Sequence, residues 1–561
     1  MAIAAARAAP GAWRGAARLR AAARDPWGFL LFAALTAPLL LFSVVPVAGV
    51  LRQAALGEAG IDLVAAWRTL HEASAWRALG NTLVLGATSA SLATLVGFAL
   101  AFSVTRTTMP GRGFVHAVAL LPVIAPPFVM ALAIVILFGR QGLVSKGLLG
   151  IVGSNVYGFR SLVLIQVLSF VPLAYLNVRG MLLSLDSALD DASASLGASS
   201  WRTFRRVTLP LASPAILSSF LLVFVKSIED FGNPMIIGGN YNTLAVEAYA
   251  HMVGYFDLRT GALLACLLLA PSLAAFAIQR RWVARRGYVT VTGKPVAQAV
   301  RLRARRVVWP LAALCHGLAA TILCFYATVV AVSFMRLPGV DATPTLEHYR
   351  VAFTAGFETL ANSMLLAGIA APATAAGGIL VAFVLLRRAF PGAWLLKWST
   401  MLSFAAPGTI LGIGYVATFN DPPFALTGTA FLIVVAMVVK NLQVGIEAGT
   451  NQLRQVDKAI EEASAALGAS TARTFLRVTL PLLRPALFAA LAYAFARSLT
   501  TLSAVIFLVS AHWTLVTVTI LSHVETLKIG LAAAYCVILV VVVLAALAVL
   551  QAFAGGAARR S

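Results

Sequence analysis

DDASASLGASSWRTFRRVTLPLASPAI, residues 190–216, aligns without a gap with EEASAALGASTARTFLRVTLPLLRPAL, residues 461–487, and 18 of the 27 pairs are identical. The offset is 271 throughout, so the chain carries an internal repeat. Leu185, Leu189, Ala192 and Leu196 fall at i, i+4, i+7 and i+11, and Val456, Ile460, Ala463 and Leu467 do the same, which predicts an amphipathic helix in each copy. Asp190-Asp191 and Glu461-Glu462 lie beside that stripe and are expected to face water or a partner. Gly197 and Gly468 supply the left-handed turn that stops the helix, and Ser199 and Ser470 suit the cap of a second, short one. That short helix holds Arg202-Thr203-Phe204 or Arg473-Thr474-Phe475, and Leu209-Pro210 or Leu480-Pro481 is expected to end it. Pro214 and Pro485 then open the next helix.

Working outward, both copies sit in apolar surroundings. The chain is 60% hydrophobic and 11% charged with mean hydropathy +0.90, against about 25% charged residues in soluble domains. Twelve runs near the ~20 residues that cross a bilayer lie at 28–51, 82–104, 114–138, 161–182, 214–236, 260–279, 308–334, 363–386, 398–419, 429–449, 485–509 and 529–554. The expected fold is an all-α polytopic membrane protein of about 12 helices. Asn81-Thr82 matches Asn362-Ser363, and Ala125-Pro126 matches Ala406-Pro407, both at offset 281, so the halves differ by ten residues between the third and fourth helices. An even number of crossings per half makes the two six-helix repeats parallel, related by an axis along the membrane normal.

The formal charge of +23 follows the positive-inside rule rather than a nucleic-acid surface. Arg7, Arg14, Arg18, Arg20 and Arg24 precede the first helix, and Arg280 to Arg306 carries nine basic residues and no acid. Both segments are expected in the cytoplasm, together with Arg559 and Arg560, while the loops at 239–258 and 420–428, free of Lys and Arg, face outward. The domain reading is a cytoplasmic segment 1–25, a first half 26–281, a basic linker 282–306 and a second half 307–555. The run at 28–51 exceeds the apolar region of a signal peptide and reads as an anchor. Cys266, Cys315, Cys324 and Cys536 lie in apolar segments as packing residues, and the seven histidines show no metal-ligand spacing.

A loop helix with arginines could merely rest on lipid headgroups. Aromatics between arginines at matching positions in two copies instead suggest a pair of docking knobs for a partner with two equivalent clefts. The spacing of Asp191-Ala192-Ser193, Gly197 and Val207 to Pro210, and of Glu462-Ala463-Ser464, Gly468 and Val478 to Pro481, resembles the EAA loop of binding-protein-dependent ABC permeases. The departures are Asp for Glu in the first copy, Ser for the second Ala in both, and Val for Ile. The resemblance covers roughly 77–281 and 358–551 and implies a type I ABC importer transmembrane fold in the bacterial inner membrane. It also implies coupling helices seated on two copies of a cytoplasmic ABC ATPase, and a periplasmic substrate-binding protein. ATP and Mg would then sit on the ATPase, with no cofactor in this chain. A phosphate loop needs G-x-x-x-x-G-K-[ST]; Gly287 to Pro295 has one residue too many and ends Gly-Lys-Pro.

Asp230 to Pro234 with Gly238-Gly239, Tyr288 to Lys294, and Ser503 to Ser510 look closest to the fused ferric-iron-type permeases. Fused permeases for 2-aminoethylphosphonate and thiamine share the architecture and remain alternatives for the substrate. From another class, parallel repeats also permit an ion-gradient-driven secondary transporter, which has no reason to duplicate a docking loop. No nucleophile or metal constellation supports an enzyme.

Charged residues inside membrane segments face a bundle interior or a water-filled cavity. Lys226, Glu229 and Asp230 are placed about four turns into the fifth helix, and their partners at offset 271 are Arg497, Thr500 and Thr501, which suggests a pathway with one acidic wall. The structural alternative is an i, i+3 and i+4 ion pair on one helix. Pro122, Pro126, Pro127 and Pro407 are expected to break the third and ninth helices, either freeing carbonyls to line a passage or simply kinking them.

Overall fold

The computed structural model describes residues 25–285 and 302–558, apart from 58–59, 63, 65–66, 69–72, 152, 187 and 389. The N-terminal arginines, Tyr288 to Lys294, most of the basic linker and Arg559-Arg560 lie outside the described residues.

The chain is built almost wholly from helices. In the first repeat these are α1 (Pro26–Ala55), α2 (Ala73–Arg106), α3 (Arg112–Ile124), α4 (Phe128–Phe138), α5 (Phe159–Ser184), α6 (Ala188–Ser195), α7 (Ser200–Ile228), α8 (Gly232–Ile237), α9 (Leu244–Tyr249) and α10 (Leu258–Arg285). The second repeat has α11 (Arg305–Ser333), α12 (Glu347–Phe353), α13 (Phe357–Arg387), α14 (Ala393–Ala405), α15 (Gly408–Phe419), α16 (Ala430–Gln455), α17 (Lys458–Ala466), α18 (Thr471–Leu499), α19 (Val516–Glu525) and α20 (Ile529–Ala558). Two short hairpins, Leu56–Gly57 with Gly60–Ile61 and Met335–Leu337 with Asp341–Pro344, are the strands among the described residues. Ten of the described helices, with α4 counted through the π-helical segment to Leu148 as an eleventh, are long and apolar enough to cross a membrane, and α14 with α15, bent by 112°, makes a twelfth span.

The prolines explain the broken spans. Pro126-Pro127 separates α3 from α4, and Pro407 separates α14 from α15, because a proline has no N–H for the helical ladder and crowds the preceding turn. Pro122 breaks nothing; it lies inside α3. The predicted runs 214–236 and 485–509 are too long at their far ends, since α7 stops at Ile228 and α18 at Leu499.

Small residues set the closest helix crossings. A Cβ on Gly97 of α2 would meet the Ala174 side chain of α5 at 2.8 Å, and one on Gly378 of α13 would meet the Gly445 backbone of α16 at 2.5 Å. These are corresponding positions in the repeats, and close backbone approach is what small residues permit where lipid removes the hydrophobic drive for association.

The compact units do not follow the sequence halves. One unit joins α1 to 358–517 and to the chain beyond 541; the other joins 56–357 to 518–540. Within the first unit Tyr415 Oη donates to the Phe42 carbonyl at 2.8 Å, and Gly414 lets α15 approach the Pro46 backbone. Within the other, α11 packs on α3 and α4. The boundaries 26–281 and 307–555 therefore describe the repeat in sequence but not the packing of α1 and α11, because repetition reveals likeness between segments and not which segment each one covers.

Candidate functional site: the two loop assemblies and the helix breaks

Each loop folds as helix, left-handed turn, helix. Gly197 has φ +73° and Gly468 φ +79°, and no atom lies within 4 Å of a Cβ built at either, so only backbone conformation demands glycine there. The Ala198 N–H reaches the Ser193 carbonyl and the Ala469 N–H the Ser464 carbonyl, both at 3.1 Å, which closes the end of α6 and of α17. Ser199 accepts from the Arg202 N–H and Ser470 from the Arg473 N–H. A side-chain bond ties the two arms together, Ser193 to Thr203 at 2.7 Å and Ser464 to Thr474 at 2.9 Å.

Four expectations need correction. The short helices do not end at Leu209-Pro210 and Leu480-Pro481; each runs through a π-helical turn, Phe204–Thr208 or Phe475–Thr479, into the long helix. The wider turn lets the Leu209 N–H reach the Phe204 carbonyl just before the residue that lacks a donor. Leu185 and Val456 lie outside the loop helices, in extended conformation at the ends of α5 and α16. The aromatic rings turn inward. Phe204 packs on Phe98 and Phe102, and Phe475, 4% exposed, packs on Phe383 and Trp27. What faces outward is Trp201 in the first copy and otherwise aliphatic and charged: Leu189, Leu196, Ile460 and Leu467 with Arg202, Arg473, Asp191, Glu462, Ala192 and Ala463.

The fourth correction concerns the acids. Within each pair only the second is exposed. Asp190 forms an ion pair with Arg106 at the end of α2, with side chains 20% and 5% exposed, and Glu461 pairs with Arg387 at the end of α13 at 3.1 Å, 13% and 6% exposed. The same guanidinium groups donate to the ends of the preceding helices, Arg106 to the Leu182 carbonyl at 3.1 Å and Arg387 to those of Leu453 and Val456 at 2.8 and 2.7 Å. Arg106 and Arg387 are functional candidates that sequence reasoning missed. They stand 281 apart, the offset already visible at Asn81 and Asn362, and applying it to the charged residues finds them.

The helix breaks hold the other predicted residues. Lys226 lies in α7 and donates to Glu229 at 3.0 Å, but Glu229 caps the helix and Asp230 is beyond it, not inside a continuous fifth helix. Asp230 accepts from Gln166 of α5 at 3.0 Å and from the side chain and backbone N–H of Asn233 at 2.9 and 3.3 Å, so its partners are neutral amides rather than Lys226. In the second repeat Thr500 and Thr501 bond back to Ala496 and Arg497 carbonyls, and Thr501 also accepts from Asn441 at 3.4 Å. Each break meets the proline break of its own unit. The helix α8 packs on α4 just past Pro126-Pro127, and Gly408, next to Pro407, lies against Ser503 and Ala504. The Ala406 carbonyl freed at Pro407 accepts from Lys440 of α16 at 2.8 Å, a further intramembrane cation that the sequence reading passed over. Among the described residues no group of three or more His, Cys, Asp or Glu side chains is placed to hold a metal ion.

Between α4 and α5 the chain forms a π-helical turn at Leu143–Leu148, and a cavity of about 460 Å³ is lined by Arg140, Asn155, Tyr157 and Tyr241.

Comparison with known proteins names the assembly. Residues 93–287 and 363–557 both match the model of the binding-protein-dependent transport system inner membrane component. The chain belongs to that family. This permease is 36% identical over 492 residues to the ferric transport system permease protein FbpB of Actinobacillus pleuropneumoniae, covering 85% of this chain and 71% of the relative. It is 35% identical over 454 residues to the putative ferric transport system permease protein FbpB 1 of Haemophilus influenzae, covering 79% and 72%. The molybdate/tungstate transport system permease protein WtpB of Thermococcus kodakarensis is 27% identical over 264 residues, 99% of its length but 47% of this chain, so a whole relative corresponds to about half of the permease. The two matches make it a fused, two-half, multi-pass inner-membrane permease with the type I importer fold. Membership implies a binding protein and an ABC ATPase as partners; the family consists of permease subunits, not enzymes.

Proposed function

We propose that the permease passes ferric iron, delivered by a periplasmic binding protein, into the cytoplasm at the expense of ATP hydrolysed on two copies of a separate ATPase. The substrate rests on the two relatives named for ferric transport, each covered over more than two thirds of its length. The coupling rests on one observation: two loop helices, α6 and α17, with the same turn, the same cross-bond and the same buried ion pair, expose an apolar and charged face to nothing in their own units. Asp191, Glu462, Arg202, Arg473, Leu196 and Leu467 form that face and would touch the ATPase. ATP and Mg belong to the ATPase, and this chain needs no cofactor. The loops and both termini are cytoplasmic, and the 239–258 and 420–428 loops face the binding protein.

The passage runs past the paired breaks. Unwound backbone inside a membrane survives only where it is buried in protein or lines a cavity, and the breaks at 229–231 and 500–504 each abut a proline break. Glu229 and Asp230 provide an acidic stretch for a cation, and Lys226 limits its retention; in the second repeat Arg497 keeps the base while the hydroxyls of Thr500 and Thr501 stand in place of the acids. Purifying the ATPase with wild-type permease and with Asp191→Arg/Glu462→Arg tests the docking face. Wild type should retain the ATPase and the double variant should lose it. Equal retention removes these residues from the interface.

A further inference from the structure

A signal between the ATPase and the binding protein has to cross about 30 Å of hydrocarbon, and in each unit one helix is pinned at both ends of such a distance. At one end of α2, Arg106 holds Asp190 of α6 and the Leu182 carbonyl of α5. At the other end Asn81 Nδ2 donates to the Asn242 carbonyl at 3.0 Å, Thr82 Oγ1 accepts from the Leu244 N–H at 2.9 Å, and Tyr241 Oη donates to the Asn81 carbonyl at 2.8 Å. Helix α13 repeats the pattern. Arg387 holds Glu461, while Asn362 Nδ2 donates to the His512 carbonyl at 3.0 Å and Ser363 Oγ accepts from the Val516 N–H at 2.8 Å. The pins stand about 38 Å apart along each axis at 1.5 Å per residue, enough to span the bilayer core.

Several of the other membrane helices are interrupted. The α3–α4 and α14–α15 spans are broken at proline, and α7 and α18 each contain a π-helical turn and stop at the breaks. In contrast α2 is one unbroken helix of 34 residues and α13 one of 31. The elements held at their far ends, 242–244 and 512–516, lead directly into α9 and α19.

We propose that α2 and α13 are the struts through which ATPase docking and binding-protein docking sense each other. Arg106 and Arg387 are the inner positioning residues, and Asn81-Thr82 and Asn362-Ser363 the outer ones. The inference rests on α6 and α17 being the ATPase-docking helices. Coupling between two sites is reciprocal in binding free energy, so loosening either end of a strut weakens the same link.

The test uses the full permease with its ATPase in lipid vesicles, reading basal ATP hydrolysis and its stimulation by ferric-loaded binding protein. The inner arm is Arg106→Lys/Arg387→Lys, which keeps the charge but loses the planar fork that serves acid and carbonyl together. The outer arm is Asn81→Ala/Asn362→Ala. Each arm should cut stimulation by about fivefold or more, within the usual range of a coupling free energy, with basal hydrolysis and ATPase co-purification unchanged. The combined variant should be no worse than the weaker arm, because one strut is broken in either case. Losses that multiply, or full stimulation in either arm, overturn the strut. If the inner variants do not reach the membrane, the outer arm alone decides, and full stimulation there refutes the proposal. Failure of wild-type permease to retain its ATPase contradicts the docking reading instead.

Discussion

In the loops the two repeats agree down to their anchors; at the breaks a few turns further on they part. Arg106 with Asp190 and Arg387 with Glu461 are the same device, whereas Lys226, Glu229 and Asp230 correspond in sequence to Arg497, Thr500 and Thr501. A partner that docks twice in the same way requires both copies of its seat. A substrate that passes once requires only that the two walls together suit it. On the proposed function, the difference separates the part of the molecule that handles energy from the part that handles cargo.

The comparison breaks most readily at the buried acids. Replacing Asp190 and Glu461 by Ala leaves Arg106 and Arg387 nearly buried without their carboxylates, a loss of about 3–5 kcal/mol for each buried pair. Thermal unfolding in detergent should show a large destabilisation. Asp191→Ala/Glu462→Ala, one residue along, should shift stability by about 0.5 kcal/mol or less, as exposed sites do, while weakening ATPase retention. Equal stability losses in the two variants would mean that the inner and outer acids have no separate roles.

Next comes the turn. Gly197→Val/Gly468→Val forces a β-branched residue into the left-handed region in open space, at about 1–3 kcal/mol per site. The permease should stay in the membrane and lose the ATPase, more so than either single change. Normal transport by the double variant would separate the loops from coupling.

These turns were legible in the sequence because glycine, serine and the helical stripe act over a few residues and appear twice. The anchors were not, because Arg106 and Asp190 are 84 residues apart and belong to segments with different offsets. The continuous helix through Pro210 and Pro481 was equally hidden, since a π-helical turn accommodates a proline that ordinary helix rules treat as a stop. Twelve spans and their broken members followed from hydropathy and proline. The exchange of α1 and α11 between sequence halves and compact units did not, because nothing local in either helix encodes its packing partner.

A smaller effect is expected at the breaks. Asp230→Asn keeps the size of the group but replaces an acceptor facing the Gln166 and Asn233 amides with a donor, and iron uptake should fall about tenfold, equivalent to about 1.4 kcal/mol, with ATPase retention unchanged. Thr501→Val, its counterpart, should reduce uptake less. Since Lys226 bonds Glu229 rather than Asp230, Lys226→Met/Glu229→Gln isolates the ion pair, and full uptake there with a defect in Asp230→Asn would assign the cargo role to Asp230 alone. Full uptake by a stable Asp230→Asn variant would remove the acidic wall.

The smallest perturbation fixes orientation. Single cysteines at the exposed Asn240 and Phe424 should react with an impermeant reagent from outside, and one at Gly293 only from the cytoplasm. Outside labelling at Gly293 would invert both repeats.

The central claim is met directly by uptake into vesicles that hold the purified permease and ATPase, with ferric-loaded binding protein outside and ionophores collapsing every ion gradient. Iron should enter only with ATP inside and binding protein outside, and uptake should be unaffected by the ionophores. Uptake that proceeds without the ATPase and disappears when the gradients collapse would contradict it.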